Sequence, residues 1–565
     1  APMLGALKQM SATRILRALD FGAMMSVANP LDRPQREAVA KWLGAEEDKT
    51  APPQITYCPD RSVIITPNEP KLKDSFWIGW SPDRTNQRFS TSLTAANLGK
   101  LKLKWAFGFD GDTNAFAPPT VLNDVLFVGS ASGAVYALDQ ASGCIKWIFQ
   151  ANGPVRTAPA IASINAKGGY AILVGDQIGW FYAIDSATGS LLWKSKPEDH
   201  ESTKLTGSPA VVGNVVYIPT ASWEEGRALN AGYRCCTFRG SVTAYQVSDG
   251  KQLWKTYVIP DQPKVTGKKL RDGRDEVGPS GAGIWSAPTV DSGRGRLYVT
   301  TGNNYTAASA ASDAVIALDI ATGKIVWTRQ LTPNDAFTGL CAGTSECGPD
   351  YDFGSSAILI PVNGKDLLLA GQKSGIVYAL DPEKEGAIVW QQRVGKGGTN
   401  GGVQWGMAAD NANVYAAVSD VGRIRSQTKS KLDPKPNPVD PEIGGGLTAL
   451  RLRDGKQTWF AKPAPCDAAR AGCSPAQPAA VTAIPGAVLS GSVDGHLRAY
   501  STKDGQVIWD FDTARDWQTV NGVKAKGGAI DGPGPVIAKG MMFQQSGYSR
   551  NGGNPGNVLL AWGLE

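Results

Sequence analysis

A repeated three-residue signature is the strongest constraint on the fold of this 565-residue chain. An alanine is followed after six residues by a glycine and after four more by a tryptophan, with one extra residue in the fifth copy. An apolar or alternating run precedes each copy, and Asp or Ser beside the glycine marks a tight turn, so each copy predicts strand, turn and strand. The seven copies are Ala137-Gly143-Trp147, Ala183-Gly189-Trp193, Ala244-Gly250-Trp254, Ala317-Gly323-Trp327, Ala379-Gly386-Trp390, Ala449-Gly455-Trp459 and Ala499-Gly505-Trp509.

An eighth copy is divided between two distant parts of the chain. Residues 557–561 resemble the first strand of the motif, and residues 101–105 resemble the second. One unit cannot bury its faces alone, whereas stacked units can, and pairing the two halves would remove the exposed edges of the array. We therefore predict an all-β fold, an eight-bladed β-propeller over residues 90–565 closed by its N- and C-terminal strands. The alternative is an open array of seven units with a long exposed edge.

The first fifty residues differ from the repeats. Met3 to Met25 and Leu31 to Leu43 show apolar spacing that predicts two helices, the second begun by Asp32 as N-cap with Pro34 in its first turn. Residues 13–44 resemble the C-terminal end of a c-type cytochrome domain, but the chain lacks the Cys-x-x-Cys-His haem attachment site. We predict that residues 1–50 are a small helical remnant or packing element without haem, and that residues 51–89 are a linker or packing segment.

Eight cysteines indicate an oxidising compartment, periplasmic or secreted. Cys235 and Cys236 are adjacent, and a disulfide between neighbours suggests a working surface. Loop-closing separations predict the pairs Cys341–Cys347 and Cys466–Cys473, which leaves Cys58 and Cys144 for a fourth bridge. No apolar run reaches membrane-spanning length and no basic, apolar leader precedes the first helix, so we expect a mature soluble form.

Composition excludes several function classes. The formal net charge of +6 is modest, and no Lys/Arg cluster interleaves with aromatic residues, so nucleic-acid binding is not expected. The two histidines, His200 and His496, lie in no signature of a Ser-His-Asp triad or a multi-histidine zinc site. Gly444-Gly445-Gly446 lacks the strand-turn-helix context of a nucleotide-binding loop. The class of site that is not excluded is a redox cofactor bound on the propeller axis.

The blade motif combined with Cys235-Cys236 resembles the quinoprotein alcohol dehydrogenases that depend on pyrroloquinoline quinone (PQQ). Residues 233–245, 278–305 and 350–410 are most similar to the polyvinyl alcohol dehydrogenase branch. The resemblance implies PQQ and Ca²⁺ as cofactors, with PQQ held between the indole of Trp285 and the disulfide of the cysteine pair.

The resemblance also implies roles for further residues. Asp335 matches the catalytic aspartate, a general base, and Lys373 matches the cation beside the quinone oxygens. The position of Phe337, where lanthanide-using relatives carry a second aspartate, favours calcium. Glu225 remains an alternative to Glu224 as metal ligand. The implied cofactor-binding residues are Cys235, Cys236, Arg156, Thr206, Trp285, Lys373 and Trp405, the implied metal ligands are Glu224, Asn303 and Asp335, and Gly402, Asp531 and Gly532 are placed near the same mouth.

Two departures from the methanol-oxidising members bear on the substrate. Their cysteine pair lies in an earlier blade, and a glutamate that they use early in the ring is absent here, with Phe116 near its place. The resemblance thus implies a bulky secondary alcohol, either polyvinyl alcohol or a multi-ring alcohol such as a trichothecene mycotoxin. Electrons would pass to a soluble cytochrome c or an artificial acceptor. The alternative function is a cofactor-free propeller scaffold for protein binding or outer-membrane protein assembly, which predicts that the proposed site residues do not converge.

Overall fold

Eight four-stranded antiparallel sheets form the blades of a closed ring in a computed structural model of the protein. The structure describes residues 4–8, 10–20, 24, 28, 31–45, 55–65, 76–164, 169–345, 347–424, 437–466 and 470–565. In each blade the first strand named lies next to the axis and the fourth lies outermost. Blades 1 to 4 comprise Thr120–Leu122, Val125–Gly129, Ala134–Asp139 and Ile145–Gln150; Ala160–Ser163, Tyr170–Gly175, Phe181–Asp185 and Leu191–Ser195; Ala210–Val212, Val215–Ser222, Ser241–Gln246 and Gln252–Tyr257; and Thr289–Asp291, Arg296–Thr300, Ala314–Asp319 and Ile325–Gln330. Blades 5 to 8 comprise Ile358–Val362, Lys365–Gly371, Ile376–Asp381 and Ala387–Arg393; Ala408–Ala409, Asn413–Val418, Gly446–Arg451 and Gln457–Ala461; Thr482–Ile484, Ala487–Gly491, His496–Ser501 and Val507–Asp512; and Val536–Ala538, Met541–Ser546, Val558–Leu564 and Leu101–Gly108.

Shorter elements lie outside these strands. Thr203–Lys204 pairs with the second strand of blade 3. Two small hairpins, one further two-stranded sheet and two 3₁₀ helices occupy the connections. The hairpins are Lys264–Lys269 with Asp275–Gly278 and Asp516–Trp517 with Ala525–Lys526, the further sheet is Ser280–Gly281 with Asn304–Thr306, and the 3₁₀ helices are Ala95–Lys100 and Pro382–Lys384.

Blade 8 closes the ring. Its outermost strand, Leu101–Gly108, pairs antiparallel with Val558–Leu564, with Leu101 opposite Leu564 and Gly108 opposite Val558. Ala561 lies opposite Trp105, as alanine lies opposite tryptophan in the seven contiguous copies. The prediction of an eight-bladed propeller is confirmed, and an open seven-unit array is not formed.

The repeated signature forms the packing contact between neighbouring blades. In blade 5, the indole nitrogen of Trp390 donates to the carbonyl of Leu452 at 2.8 Å, in the next blade. The ring lies so close to the turn glycine of that blade, Gly455, that a Cβ added there would come within 2.5 Å of it. The φ of Gly455 is +69°, which favours glycine. Six signature tryptophans donate in this way: Trp105, Trp147, Trp193, Trp254, Trp390 and Trp459.

Substituting Gly455 tests this packing contact. Gly455→Ala introduces both backbone strain and a clash with the indole, and overpacking costs about 1–3 kcal/mol beyond the strain. Gly364→Ala is the matched control, because its φ is +79° but nothing lies within 4 Å of an added Cβ. We expect a clearly lower denaturation midpoint for Gly455→Ala than for Gly364→Ala. Equal midpoints would contradict the role of this packing contact.

Among the described residues, three helices precede the propeller: α1 (Leu4–Leu7), α2 (Ala12–Asp20) and α3 (Arg33–Leu43). Asp32 caps α3 as predicted, since its carboxylate accepts from the Gln35 amide at 2.8 Å and the Gln35 side chain accepts from the Asp32 amide at 2.9 Å. Buried Ile15, Leu19 and Ala40 join α2 to α3. Met3 and Met25, the predicted bounds of the first helix, lie outside the described residues.

The predicted disulfides are all formed: Cys58–Cys144, Cys235–Cys236, Cys341–Cys347 and Cys466–Cys473. They agree with the oxidising compartment that the cysteine count indicates. In the described part of the chain, none of the helices combines the length and apolar character that a membrane crossing requires.

Candidate active site

A cavity lies on the propeller axis. It brings together four residues predicted to bind the cofactor: Arg156, Thr206, Trp285 and Trp405. Each precedes the innermost strand of a blade, in a connection from the outermost strand of the blade before it. These connections converge on the axis at one end of the ring, which is why residues far apart in sequence line one cavity. Gly532, Phe116 and Tyr548 also line it.

The cavity combines flat aromatic walls with a cation. The ring centroids of Trp285 and Trp405 lie 5.1 Å apart, edge to face, and the Arg156 guanidinium lies 4.2 Å from the Trp405 ring. Among the described residues, no carboxylate lies within 4 Å of Arg156, and burial lowers the pKa of this guanidinium. The buried hydroxyl of Thr206 has no hydrogen-bond partner in the described structure. A planar ligand with carboxylates would supply what both polar groups lack.

A charged cluster lies at the neighbouring connections. The Lys373 ammonium bonds Asp350 Oδ1 at 2.7 Å and Asp352 Oδ2 at 2.9 Å, and the other oxygen of Asp352 accepts from the Asn303 amide at 2.7 Å. Lys373 is only 5% exposed. Burial opposes its charge, but Asp352 and Asp350 outweigh that effect and raise the pKa of Lys373. The structure therefore holds a charged lysine between two carboxylates.

Glu225 adds a further acid to this cluster. It lies on a short helix, α4 (Glu224–Arg227), and is half-buried. Burial and then the Asp352 carboxylate raise the pKa of Glu225 to about 7, while Lys373 and Arg550 oppose this rise. Burial also raises the pKa of Asp350 well above its usual range. The single positive charge of Lys373 does not neutralise the negative charge of these acids. A hard cation that takes oxygen ligands would reduce their mutual repulsion.

The acids do not form a complete metal site by themselves. Within the described ranges, no group of three or more Asp, Glu, His or Cys residues is arranged so that it could hold a metal ion. The Asn303 side-chain nitrogen donates to the carbonyls of Asn304 at 2.6 Å and Phe337 at 3.2 Å, which leaves its amide oxygen as a neutral ligand. A cation at this cluster therefore needs amide or ligand oxygens as well as carboxylates.

Glu224, the predicted metal ligand, has other partners. Its fully buried carboxylate accepts from the Tyr233 hydroxyl and from the backbone amides of Thr237 and Phe238, each at 2.8 Å. His200 Nε2 lies 3.5 Å from the same carboxylate. Glu224 therefore ties together both sides of the loop that carries the cysteine pair. The alternative, Glu225, is the glutamate whose pKa is influenced by Asp352 and Lys373.

Asp335, the predicted general base, is also occupied. Its carboxylate is fully buried and accepts from the backbone amides of Asp350 at 3.1 Å and Tyr351 at 2.8 Å. It fixes the turn that presents Asp350 to Lys373. Asp350 and Asp352 were not predicted as site residues, although two aspartates that flank Tyr351 are a signal for a charged site.

The cysteine pair lies on the Glu225 side of the site. Cys236 donates to Val277 and Val277 donates to Cys235, both at 3.1 Å. The pair packs with Tyr305, and burial together with the Glu225 carboxylate raises the pKa of that tyrosine. Burial of the pair against an aromatic residue beside the acidic cluster agrees with a place at the site. The sandwich with Trp285 stays a prediction.

Two of the residues predicted near the mouth, Gly402 and Asp531, are not among the residues that line the axial cavity. The Gly402 amide donates to Asp420 at 2.8 Å, and the fully buried Asp531 accepts from the side-chain nitrogen of Asn551 at 2.7 Å. Both support loops around the axis.

The chain is similar to known proteins over nearly its whole length. The PQQ family model, described as "Glucose/ethanol/alcohol dehydrogenase, beta-propeller domain", matches residues 77–393. Polyvinylalcohol dehydrogenase of a Pseudomonas species is 38% identical over 96% of this chain and 87% of that protein. The enzyme of the same name from Sphingopyxis sp. strain 113P3 is 36% identical over 100% and 90%. The chain belongs to the PQQ-dependent quinoprotein alcohol dehydrogenase family.

Solved structures agree with the quinoprotein fold. A europium-containing methanol dehydrogenase aligns with a TM-score of 0.63 and 19% identity over 87% of this chain and 99% of that one. Residues 274–550 also match the model "Outer membrane protein assembly factor BamB". As a member of the quinoprotein alcohol dehydrogenase family, the protein is an oxidoreductase that acts on an alcohol with PQQ.

Proposed function

We propose that this quinoprotein oxidises secondary hydroxyl groups of a bulky alcohol to ketones, using PQQ and calcium. The observation that carries the proposal is the pairing of the axial cavity, which holds Arg156 and Trp285, with the acidic cluster around Lys373. The two polyvinylalcohol dehydrogenases similar to it favour polyvinyl alcohol as substrate. A multi-ring alcohol such as a trichothecene is the rival within the same reaction.

The residues fit a carboxylated planar cofactor and a hard cation. Arg156 and Thr206 would bind polar groups of PQQ, and the indoles of Trp285 and Trp405 would contact its ring system. Glu225, Asp352 and the amide oxygen of Asn303 would bind calcium, in place of the Glu224, Asn303 and Asp335 set. The bound cofactors would supply a hydride acceptor for the alcohol carbon and a Lewis acid beside it.

The protein's own groups provide the proton chemistry and the positioning. Asp350 is proposed as the general base that accepts the hydroxyl proton of the alcohol. Lys373 holds Asp350 Oδ1 at 2.7 Å and places a positive charge where negative charge develops. Asp335 orients Asp350 through its backbone amide, so it acts as a positioning residue.

The electron acceptor and compartment follow from the same family resemblance. We propose a separate soluble cytochrome c as acceptor, replaceable by a dye, and a periplasmic location. Four disulfides support an oxidising compartment. A cofactor-free scaffold would not explain why the guanidinium of Arg156 lines the axial cavity without a carboxylate partner among the described residues.

Reconstitution tests the proposal. Apoprotein is mixed with PQQ, with calcium or with both, and dye reduction is followed with polyvinyl alcohol, a multi-ring secondary alcohol, cyclohexanol and ethanol. We expect turnover only with both cofactors, and faster turnover with secondary alcohols. A folded protein without any PQQ-dependent rate would contradict the enzyme and favour the scaffold, and a preference for ethanol would contradict the substrate class.

A further inference from the structure

The end of the segment predicted as a linker or packing element lies against the inner strands of the ring. We call residues 76–90 the axial strap. It pairs with the innermost strands of six blades, so it crosses most of the ring on its inner side. Its bonds join Trp77 to Val121 at 2.8 and 2.9 Å, the Arg84 carbonyl to Val290 at 2.9 Å, the Thr85 carbonyl to Leu359 at 3.0 Å, the Gln87 carbonyl to Ala409 at 3.0 Å, the Arg88 carbonyl to Ala483 at 3.0 Å and the Ser90 hydroxyl to the Ile537 carbonyl at 3.1 Å.

Arg88 fixes the strap against blades 7 and 8. Its side chain is fully buried, and its guanidinium donates to the Val481 carbonyl at 2.8 Å, the Thr482 hydroxyl at 3.0 Å and the Pro535 carbonyl at 3.2 Å. It also donates to the Trp80 carbonyl and lies 4.8 Å from the Trp80 ring centroid. In the described structure no carboxylate forms an ion pair with Arg88, and burial lowers its pKa to about 9. A buried arginine committed to carbonyl groups serves here to hold Trp80 in place.

Trp80 is a wall of the axial cavity, together with Trp285 and Trp405. It is also a wall of a second cavity, which is bounded by the strap and by Ile161 and Val211 of blades 2 and 3. Trp80 is therefore a lining residue that the two cavities share. A Cβ on Gly406 would lie 3.0 Å from the Trp80 ring, so the glycine leaves room for this indole beside Trp405.

We propose that Trp80 closes the far end of the PQQ cavity and that the axial strap is a positioning element for the cofactor. The inference rests on the proposed function, because it takes the axial cavity as the place of PQQ. Without the indole the axial cavity would lose a wall that Trp80 shares with the second cavity, and water would reach its inner end. PQQ would then be held less tightly, while the cluster around Lys373 would remain.

The test measures PQQ binding to the full-length apoprotein by titration of quinone absorbance, and PQQ release by exchange. We expect Trp80→Ala to bind PQQ about tenfold or more weakly, through faster release, because an aromatic wall of the axial cavity is lost. Trp80→Phe should recover part of the affinity. Trp77→Ala is the control, because Trp77 is a fully buried strap residue that lines neither of the two cavities. It should lower the thermal midpoint with little change in PQQ affinity.

Each outcome decides the inference. Wild-type affinity in Trp80→Ala, or an equal loss in Trp77→Ala, would overturn the role of Trp80 and leave the proposed function intact. A wild-type protein that binds no PQQ would overturn both. If Trp80→Ala does not fold, Gly406→Ala displaces the indole without removing it, and unchanged PQQ release in that variant would contradict the inference.

Discussion

Glu225→Gln is expected to abolish calcium-dependent alcohol oxidation in a protein that still folds. Glutamine keeps the size of the side chain but removes the negative charge that lies beside Asp352 and Lys373. A site that binds a cation mainly through carboxylates binds it more weakly when one carboxylate is replaced by a neutral amide. We expect calcium affinity to fall by at least about tenfold, measured by calorimetric titration of the apoprotein and by the calcium dependence of dye reduction.

The adjacent residue provides the matched control. Glu224→Gln should keep calcium affinity near the wild-type value, because the Glu224 carboxylate bonds Tyr233, Thr237 and Phe238. It should instead weaken the loop that carries Cys235 and Cys236, at a cost of about 1–3 kcal/mol for charged hydrogen bonds that are buried. Loss of calcium from Glu224→Gln with retention in Glu225→Gln would restore Glu224 as the ligand.

Asp350→Asn is expected to lower kcat by about 10²–10⁴-fold, the range supplied by a positioned general base. PQQ should remain bound, because Arg156 and Thr206 are unchanged. The measurement is single-turnover reduction of the bound quinone by a secondary alcohol, followed by its absorbance. That readout separates the chemical step from electron transfer to the acceptor.

Asp335→Asn is the control for this assignment. An asparagine retains one oxygen for the amides of Asp350 and Tyr351, so the turn should be loosened and not lost. We expect a smaller fall in kcat, accompanied by a lower thermal midpoint. If instead Asp335→Asn removed turnover and Asp350→Asn did not, Asp335 would be the base, as the family resemblance implied.

The fold was predictable because one contact is repeated around the ring. Alanine opposite tryptophan, with the indole against a turn glycine of the next blade, requires three residue types at fixed spacing. Even the divided copy carries it, as Ala561 opposite Trp105. The axial strap carries no such period. Its hydrogen bonds join it to the innermost strands of six blades that are far apart in the sequence. A local sequence pattern therefore could not predict them.

The candidate site was predictable only where position in a blade decides it. Arg156, Thr206, Trp285 and Trp405 each precede an innermost strand, so the repeat fixes where they lie. Glu224 and Glu225 are neighbours on one helical turn, where successive side chains point about 100° apart, and sequence alignment does not resolve such a step. Asp335 and Asp350 are joined by a long connection that contains the disulfide Cys341–Cys347. Its path cannot be predicted from the sequence, so the sequence did not indicate which aspartate forms an ion pair with Lys373.

Ring closure has a consequence for the order of events in the cell. The cofactor cavity takes walls from Arg156 in the first part of the chain and from Tyr548, which the ribosome makes far later. Blade 8, which holds Tyr548 in a loop, cannot form until Leu101–Gly108 meets Val558–Leu564. A nascent chain thus has no complete axial cavity. Under the proposed function, PQQ loading follows synthesis of the whole chain and closure of blade 8.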